Sequence, residues 1–375
     1  MQTQGTKLDF TGQNIYSGID AHLKRWSVTI MVEGIQCKTF SQNSDAGTLK
    51  NYLSKNYPGG NYCSGYEAGF CGFKPHRELL KNGIENIVIN PPDIPTTDKE
   101  KKQKDDKRDS RKIARALYNN EVEAIHVPGI EIEGLRTLVR YRKTLVKEIN
   151  RHKYRVKSLL YFNGITIPLE LEKASKGWAR SYTAWLRQVQ FDTEYATEVL
   201  LNLIKTVDHM RAQLLQVNRL LRKIEKTGKH SHKIRLLKSI PGIALITSLT
   251  IITELDNIKR FRNLDKLASY VGLVPSTRSS GGKEVVGEMT PRGNSQIRTM
   301  LIESAWIAIR YDPALMMKYC ELKQRMEPNK AIVKIAKKLL SRVRHVLINN
   351  EPYEIGVVKN NCSNKKHHQE SGTVK

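Results

Sequence analysis

Four carboxylates raise the first chemical question. Asp20 follows a short apolar run in "YSGIDAHLKRWSVTI", Glu67 ends another in "NYCSGYEAG", and Asp106 and Asp109 stand three apart in "DDKRDSRKIA". Acids at strand ends, with two more on one face at a helix start, can converge at one edge of an α/β sheet. Such a group of oxygen ligands suits Mg²⁺, which binds carboxylates at roughly 2.0–2.1 Å and keeps waters for phosphate chemistry. Two ions ~3.5–4 Å apart can clamp the attacking and leaving oxygens of a phosphodiester. Taken singly, each acid has an ordinary explanation. Asp20 is then a turn residue, Glu67 an exposed strand end, Asp106 a partner for Lys104 or Lys107, and Asp109 a helix N-cap. Along the chain the order is two acids at strands and then D-x-x-D on a helix.

The overall charge points the same way. The 375 residues carry 63 Lys plus Arg against 37 acids, a formal net charge of +26. A charge of that size opposes compaction and is suited to a polyanion, either nucleic acid or an acidic membrane face. Lys107, Arg108, Arg111 and Lys112, with Lys99, Lys101, Lys102 and Lys104, surround the D-x-x-D pair and can hold phosphates. Arg140, Arg142, Lys143, Lys147, Arg151, Lys153 and Arg155 form a second stripe that suits a duplex; a solvated helix face is the alternative. Five cysteines show neither a CxxC pair nor zinc spacing, as free thiols of a reducing compartment would. The first residues lack the apolar core of a secretory signal, and the most apolar window, "IPGIALITSLTIITEL", is too short to span a bilayer. The expectation is a soluble protein of the cytoplasm with no membrane partner.

These residues need elements to hold them. "IYSGI" (15–19) and "WSVTIMV" (26–32) read as strands around a polar turn at 20–25, and "GIQCKTF" as a third. "SDAGTLKNYLSK" reads as a capped helix, "NYCSGYEAG" as a strand, "FKPHRELLKNG" as a helix stopped by Gly83, and "IENIVINPP" as a strand halted by prolines. The alternation indicates an α/β layer with a parallel or mixed sheet. A charge-dense segment then becomes helical at "RDSRKIARAL". Leu135, Leu138, Leu145, Ile149, Val156 and Leu159 fit one heptad seam; Leu200, Leu203, Val207, Met210, Leu214, Val217, Leu221 and Ile224 fit a stronger one. Two arms of a coiled coil, or two helices of a bundle, would join at "YFNGITIP". Further on come a helix–Pro-Gly–helix unit, a Gly/Ser-rich loop at "STRSSGGKEVVGEMTPRGNSQIR", the buried helix "TMLIESAWIAIRY" and the basic amphipathic helix "KAIVKIAKKLLSRVRHVL". The expected domains are 13–128, 129–232 and 233–350, with a disordered tail at 351–375.

The strings "GIDAH", "YEAGFCGF", "DDKRDSRKIA", "SIPGIALITS" and "GLVPSTRSSGGKEVVGEMTPRGNSQIRTMLIESAW", in this order and spacing, resemble the bacterial insertion sequence one-ten type DEDD transposases, relatives of the Piv and MooV invertases. The likeness covers nearly the whole chain. It implies an α/β RuvC-like (RNase H-like) N-terminal domain carrying Asp20, Glu67, Asp106 and Asp109 as ligands for Mg²⁺ or Mn²⁺. It implies a long α-helical coiled coil joining protomers and a mainly α C-terminal domain holding a nucleophilic serine. Dimers or tetramers, donor and target DNA, and an element-encoded bridge RNA are also implied, at the nucleoid of a bacterial cell. The serine must come from "STRSSGG", where Gly281 and Gly282 permit close approach to a phosphate. Counting from Pro275 favours Ser280, and counting back from "TPRGN" favours Ser279. A serine hydroxyl needs activation by a base or metal, and the product would be a 5′-phosphoserine link. Pro291 stands where family members usually carry Lys or Arg, and the resemblance then implies that Arg292 would take over that phosphate contact. "SIPGIALIT" is also similar to the hairpin of helix-hairpin-helix modules, in which Gly242 would approach phosphates; a plain helix turn is the alternative. Two rival functions stay open: a RuvC-type nuclease that hydrolyses DNA with water, and a non-catalytic nucleic-acid scaffold.

Overall fold

The computed structural model describes residues 9–95, 105–280 and 283–356. Lys99, Lys101, Lys102 and Lys104, Gly281 and Gly282, and the tail from 357 on lie outside the described residues. The chain divides into two compact units, Met1–Pro128 and Gly129–Lys375.

The first unit is built on a mixed five-stranded sheet. β1 (Asn14–Ala21), β2 (Arg25–Val32) and β3 (Ile35–Asn43) form an antiparallel meander. After α1 (Ala46–Asn56), β4 (Asn61–Glu67) returns parallel to β1; after α2 (Lys74–Lys81), β5 (Glu85–Ile89) lies parallel to β4. The order is β3-β2-β1-β4-β5, the mixed α/β arrangement that a RuvC-like domain requires. Local chemistry explains the boundaries. Asp45 caps α1 by accepting from the Thr48 amide at 2.6 Å. Gly83, at φ +69°, turns the chain out of α2, and Pro91 with Pro92 ends the ladder after β5. The expected turn at 20–25 is shorter than anticipated: β1 runs through Asp20, which pairs with Ser27 across the ladder, because β2 is buried along its whole length from Trp26 to Val32.

α3 (Asp106–Tyr118) lies across β1, β2 and β4. It approaches the sheet so closely that a Cβ on Gly18 would meet the Ser110 carbonyl oxygen and the Ala114 amide, and would stand 2.8 Å from Ala114 Cα. Beside this contact the Ser110 hydroxyl bonds to Thr29 at 2.8 Å and reaches Ser27 at 3.4 Å, so a buried polar row fixes the helix along its axis.

The second unit is helical. α4 (Ile130–Phe162), short α5 (Glu172–Gly177) and α6 (Arg180–Leu186), and α7 (Glu194–Thr227) make a long helical hairpin. Its arms are antiparallel within one chain: Tyr141 bonds Gln213 at 3.4 Å and Arg142 bonds Asn218 at 2.8 Å, while Val156 and Leu160 share a core with Leu200, Ile204 and Val207. The buried positions are Ile132, Val139, Leu145, Ile149, Val156 and Leu160 on the first arm. Leu135, Leu138 and Leu159 sit at the edge of this stripe, because each arm end also packs on further helices. Trp178, Tyr182 and Leu186 fill the far end, and α8 (Ser231–Lys238) and α9 (Leu245–Leu255) pack at the near end. Beyond α10 (Leu264–Val271), β6 (Pro275–Ser280) and β7 (Lys283–Met289) precede α11 (Ser295–Tyr311), α12 (Pro313–Lys323) and α13 (Pro328–Asn349). α13 buries Ile332, Ile335, Leu339, Leu340, Val343 and Val346, one helical stripe.

Gly18→Ala forces α3 off the sheet or β1 out of register. A loss of about 1–3 kcal/mol is expected from overpacking alone, read as a lower Tm with retained helical circular dichroism.

Candidate active site

The first turn of α3 presents its acids at the edge where β1 and β4 end. Asp105, not Asp109, is the N-cap, its carboxylate accepting from the Lys107 amide, so Asp106 and Asp109 both lie inside the first turn. Asp20 precedes the last residue of β1, and Glu67 is the last residue of β4; Tyr66 pairs with Ile19, which sets Glu67 beside Asp20 in register. Asp20, Asp106 and His22 offer ligand atoms that all lie within 4.8 Å of one another. Asp109 stands one turn along, its carboxylate held by Lys112 at 2.7 Å. Glu67 is exposed at the rim and is not part of the tight group. The imidazole of His22 was not anticipated as a site residue, although it stands two positions after Asp20 in "GIDAH". Its Nε2 is 3.3 Å from Asp20 Oδ2 and 3.9 Å from Asp106 Oδ2.

Burial pushes the Asp20 carboxyl above its ordinary value. His22 pulls it down, while the charges of Asp106 and Asp109 push it up, and the net shift is upward. The Cys71 thiol, bonded to the Ala21 carbonyl at 3.1 Å, is likewise raised by burial and by the Asp20 charge. Asp20 and Asp106 are thus like charges held close with no Lys or Arg bonded to either among the described residues. That donor set fits a divalent cation.

The expected Gly/Ser loop is instead a β-hairpin. Ser279 pairs with Glu284 and Ser280 with Lys283, and the β-branched Val285 and Val286 continue the ladder. A Gly-Gly pair between two such runs is the hairpin signal that the loop reading overlooked. The hairpin's foot is tied down from both sides. Arg298 donates to the Thr290 carbonyl at 2.8 Å, to Arg292 at 3.3 Å and to Gly272 at 3.4 Å. Asn294 caps α11 and donates to Glu254 at 2.9 Å. The four acids belong to the first compact unit and the two serines to the second.

Comparisons with known proteins identify the family. A model described as Transposase, of the IS110 DEDD type, matches residues 17–163, and the Transposase IS116/IS110/IS902 family model matches residues 234–321. The chain is 31% identical over 295 residues to putative transposase y4rJ of Sinorhizobium fredii, covering 73% of this chain and 74% of that protein. The chain belongs to the IS110 family of DEDD transposases. Putative transposase y4qE of the same organism is 30% identical over 250 residues, 67% of this chain and 59% of that relative. The transposase for insertion sequence element IS1111A of Coxiella burnetii is 25% identical over 298 residues, 76% of this chain and 78% of that protein. The chain thus spans about three fifths of the length of y4qE and about three quarters of the other two.

For a family of DEDD transposases, acids that can hold a divalent metal beside a basic surface are consistent chemistry. Lys107 and Arg111 are exposed on the helix that carries Asp106 and Asp109, and Arg108 is half-buried beside them. Lys143, Lys147 and Arg151 recur every four residues along one exposed face of α4. Lys147 and Arg151 also line an open groove of ≈ 570 Å³ with Asn150, Tyr154, Arg155 and Ser158. Arg140, exposed on the same helix, also makes an internal contact. It grips the buried Glu254 carboxylate through two bonds of 2.7 and 2.8 Å. Burial alone would raise Glu254, yet the Arg140 bonds and charge, the Asn294 bond and Arg136 hold it below its ordinary value. Gly242 is also structural. At φ +84°, a Cβ there would meet the Ser304 carbonyl of α11, so the Pro-Gly turn is a helix–helix packing device. Arg292 is exposed directly after Pro291. Among the described residues no helix is long and apolar enough to cross a membrane.

The upward shift of Asp20 predicts a pH dependence. Protonated Asp20 stabilises the fold fully below the ordinary value of 3.8, and this contribution is lost as pH rises through the raised folded value. In metal-free protein at neutral pH, Asp20→Asn therefore raises Tm. The difference from the parent shrinks as pH falls toward 4, measured by thermal melts across that range.

Proposed function

We propose that the protein is a DNA transposase and site-specific recombinase that cuts and rejoins donor and target DNA under the guidance of a bridge RNA. The observation that carries this reading is the convergence of Asp20 and Asp106 at one sheet edge, next to exposed basic residues, in a chain of charge +26. Asp20, Glu67, Asp106 and Asp109 would hold Mg²⁺, with Mn²⁺ as a substitute. A bound divalent ion there would neutralise phosphate charge and polarise the scissile bond.

Ser280, or its neighbour Ser279, is the nucleophile. Its Oγ forms a bond to phosphorus as the bond from phosphorus to the 3′ oxygen breaks, and the serine proton ends on the departing 3′ hydroxyl. The DNA 5′ end remains on the serine as a phosphodiester, so a second 3′ hydroxyl can reverse the step without external energy. A hairpin strand held at its foot by Arg298 and Asn294 supplies the rigid carrier that such a nucleophile needs. Lys107, Arg108 and Arg111 would hold DNA phosphates near the acids, and Lys143, Lys147 and Arg151 a duplex of RNA or DNA along α4. Sequence choice delegated to base pairing needs only such shape and charge recognition by the protein. Acids and serines on separate units of the chain are compatible with a site completed between subunits of a dimer or tetramer. The reaction would take place in the bacterial cytoplasm, at the nucleoid.

Two experiments test this reading. Asp20→Ala should abolish strand exchange while leaving folding and RNA binding intact. Denaturing gels of the parent protein on a nicked substrate should show a protein–DNA adduct that disappears in the double variant Ser279→Ala, Ser280→Ala. Full recombination by the double variant removes the serine step, and metal-dependent cleavage without an adduct supports water as the nucleophile.

A further inference from the structure

We propose that His22 is itself a metal ligand, binding a divalent ion through Nε2 together with Asp20 and Asp106. The inference rests on the metal-dependent reading above and adds a nitrogen donor to a set otherwise composed of carboxylates.

The geometry has three independent sources. His22 directly follows β1, two residues after Asp20, and its Nε2 stands 3.3 Å from Asp20 Oδ2. The His22 amide donates to the Arg25 carbonyl at 3.1 Å, which fixes its backbone at the mouth of the β1–β2 turn. Asp106 arrives from α3, whose position is set by the Gly18 contact and the Ser110 bonds. The Phe70 ring, 5.8 Å from the imidazole centroid, backs the histidine. The separations of 3.3 and 3.9 Å from Nε2 to the two carboxylates, and the 4.8 Å limit for the group, can be compared with a real coordination shell. Ligands bonded at roughly 2.0–2.1 Å to one ion stand roughly 3 Å apart when adjacent and roughly 4 Å when opposed. Small side-chain rotations bring all three to that spacing.

A nitrogen donor changes which ions the site prefers. Carboxylate sets suit Mg²⁺ and Ca²⁺, whereas imidazole favours transition ions along the Irving–Williams order. With His22 in place, Mn²⁺ and Co²⁺ gain over Mg²⁺; with His22→Ala that preference narrows.

The decisive measurement is electron spin-echo envelope modulation of Mn²⁺ bound to the full-length protein, which detects ¹⁴N bonded directly to the ion. The expected result is nitrogen modulation in the parent, lost in His22→Ala and in His22→Gln, with Mn²⁺ still bound. Mn²⁺ held in an Asp20-dependent manner without nitrogen modulation overturns the role of His22 alone. Modulation that survives in His22→Ala also overturns it, since it assigns the nitrogen to another of the ten histidines. Binding indifferent to both Asp20→Asn and Asp106→Asn removes the metal reading of the site altogether, and this proposal with it.

Discussion

The close approach of α3 to β1 at Gly18 is the constraint on which the candidate site depends. Asp106 sits on a helix that follows a long polar segment, far in sequence from Asp20. Nothing in its own turn dictates where it will point. A glycine at the crossing lets the backbone of Ser110 and Ala114 rest against the strand without an intervening side chain. The Ser110 hydroxyl, shared with Thr29 and Ser27, then sets the helix along its axis. With height and slide both determined, the first turn of α3 has one place to go, the edge where β1 and β4 end. The carboxylates are therefore held by packing elsewhere, and the repulsion between them is borne by the fold instead of being relieved by movement.

Acids are treated in two opposite ways in this basic chain. Glu254 is buried and fully answered: a two-bond Arg140 contact, Arg136 nearby, and the Asn294 amide. A buried charge left unanswered would be costly, and the network also joins α4, α9 and the start of α11. Among the described residues Asp20 is answered by a histidine, although arginines and lysines are abundant in the sequence. Asp109 lies between these extremes, paired with Lys112 at 2.7 Å. An acid pair that no basic side chain bonds among the described residues, in a protein with so many of them, suits positive charge supplied from outside.

Much of this was legible in the residue order, and the misses have physical causes. The α/β alternation, the mixed sheet and the helical arms follow from apolar periodicity and from punctuation by Asp45, Gly83 and Pro91. Asp20 reads as a turn residue from sequence because the apolar run stops at Ile19; pairing of Asp20 with Ser27 and of Ala21 with Trp26 carries the ladder past it. The heptad seam was displaced at Leu135, Leu138 and Leu159 because a repeat assumes one partner, and each arm meets two. Glycine and serine content makes 276–282 read as a loop, whereas pairing of Pro275–Ser280 with Lys283–Met289 forms a hairpin. Arg140 and Gly242 read as nucleic-acid contacts in sequence, and the structure adds an internal partner to each: the exposed Arg140 also grips the buried Glu254, and Gly242 lies against the Ser304 carbonyl.

The same limitation explains why His22 escaped notice while Asp20 did not. A carboxylate at a strand end suggests a ligand because acids are seldom placed there without reason. A histidine two residues later is an unremarkable turn residue until the helix that brings Asp106 is in place. Its relevance comes from a contact between segments more than eighty residues apart, and that contact exists only because the strand lacks a side chain at Gly18. The chemistry of this edge is thus encoded twice: openly, in acids whose order can be read along the chain, and silently, in a glycine whose missing methyl group decides whether Asp20 and Asp106 meet.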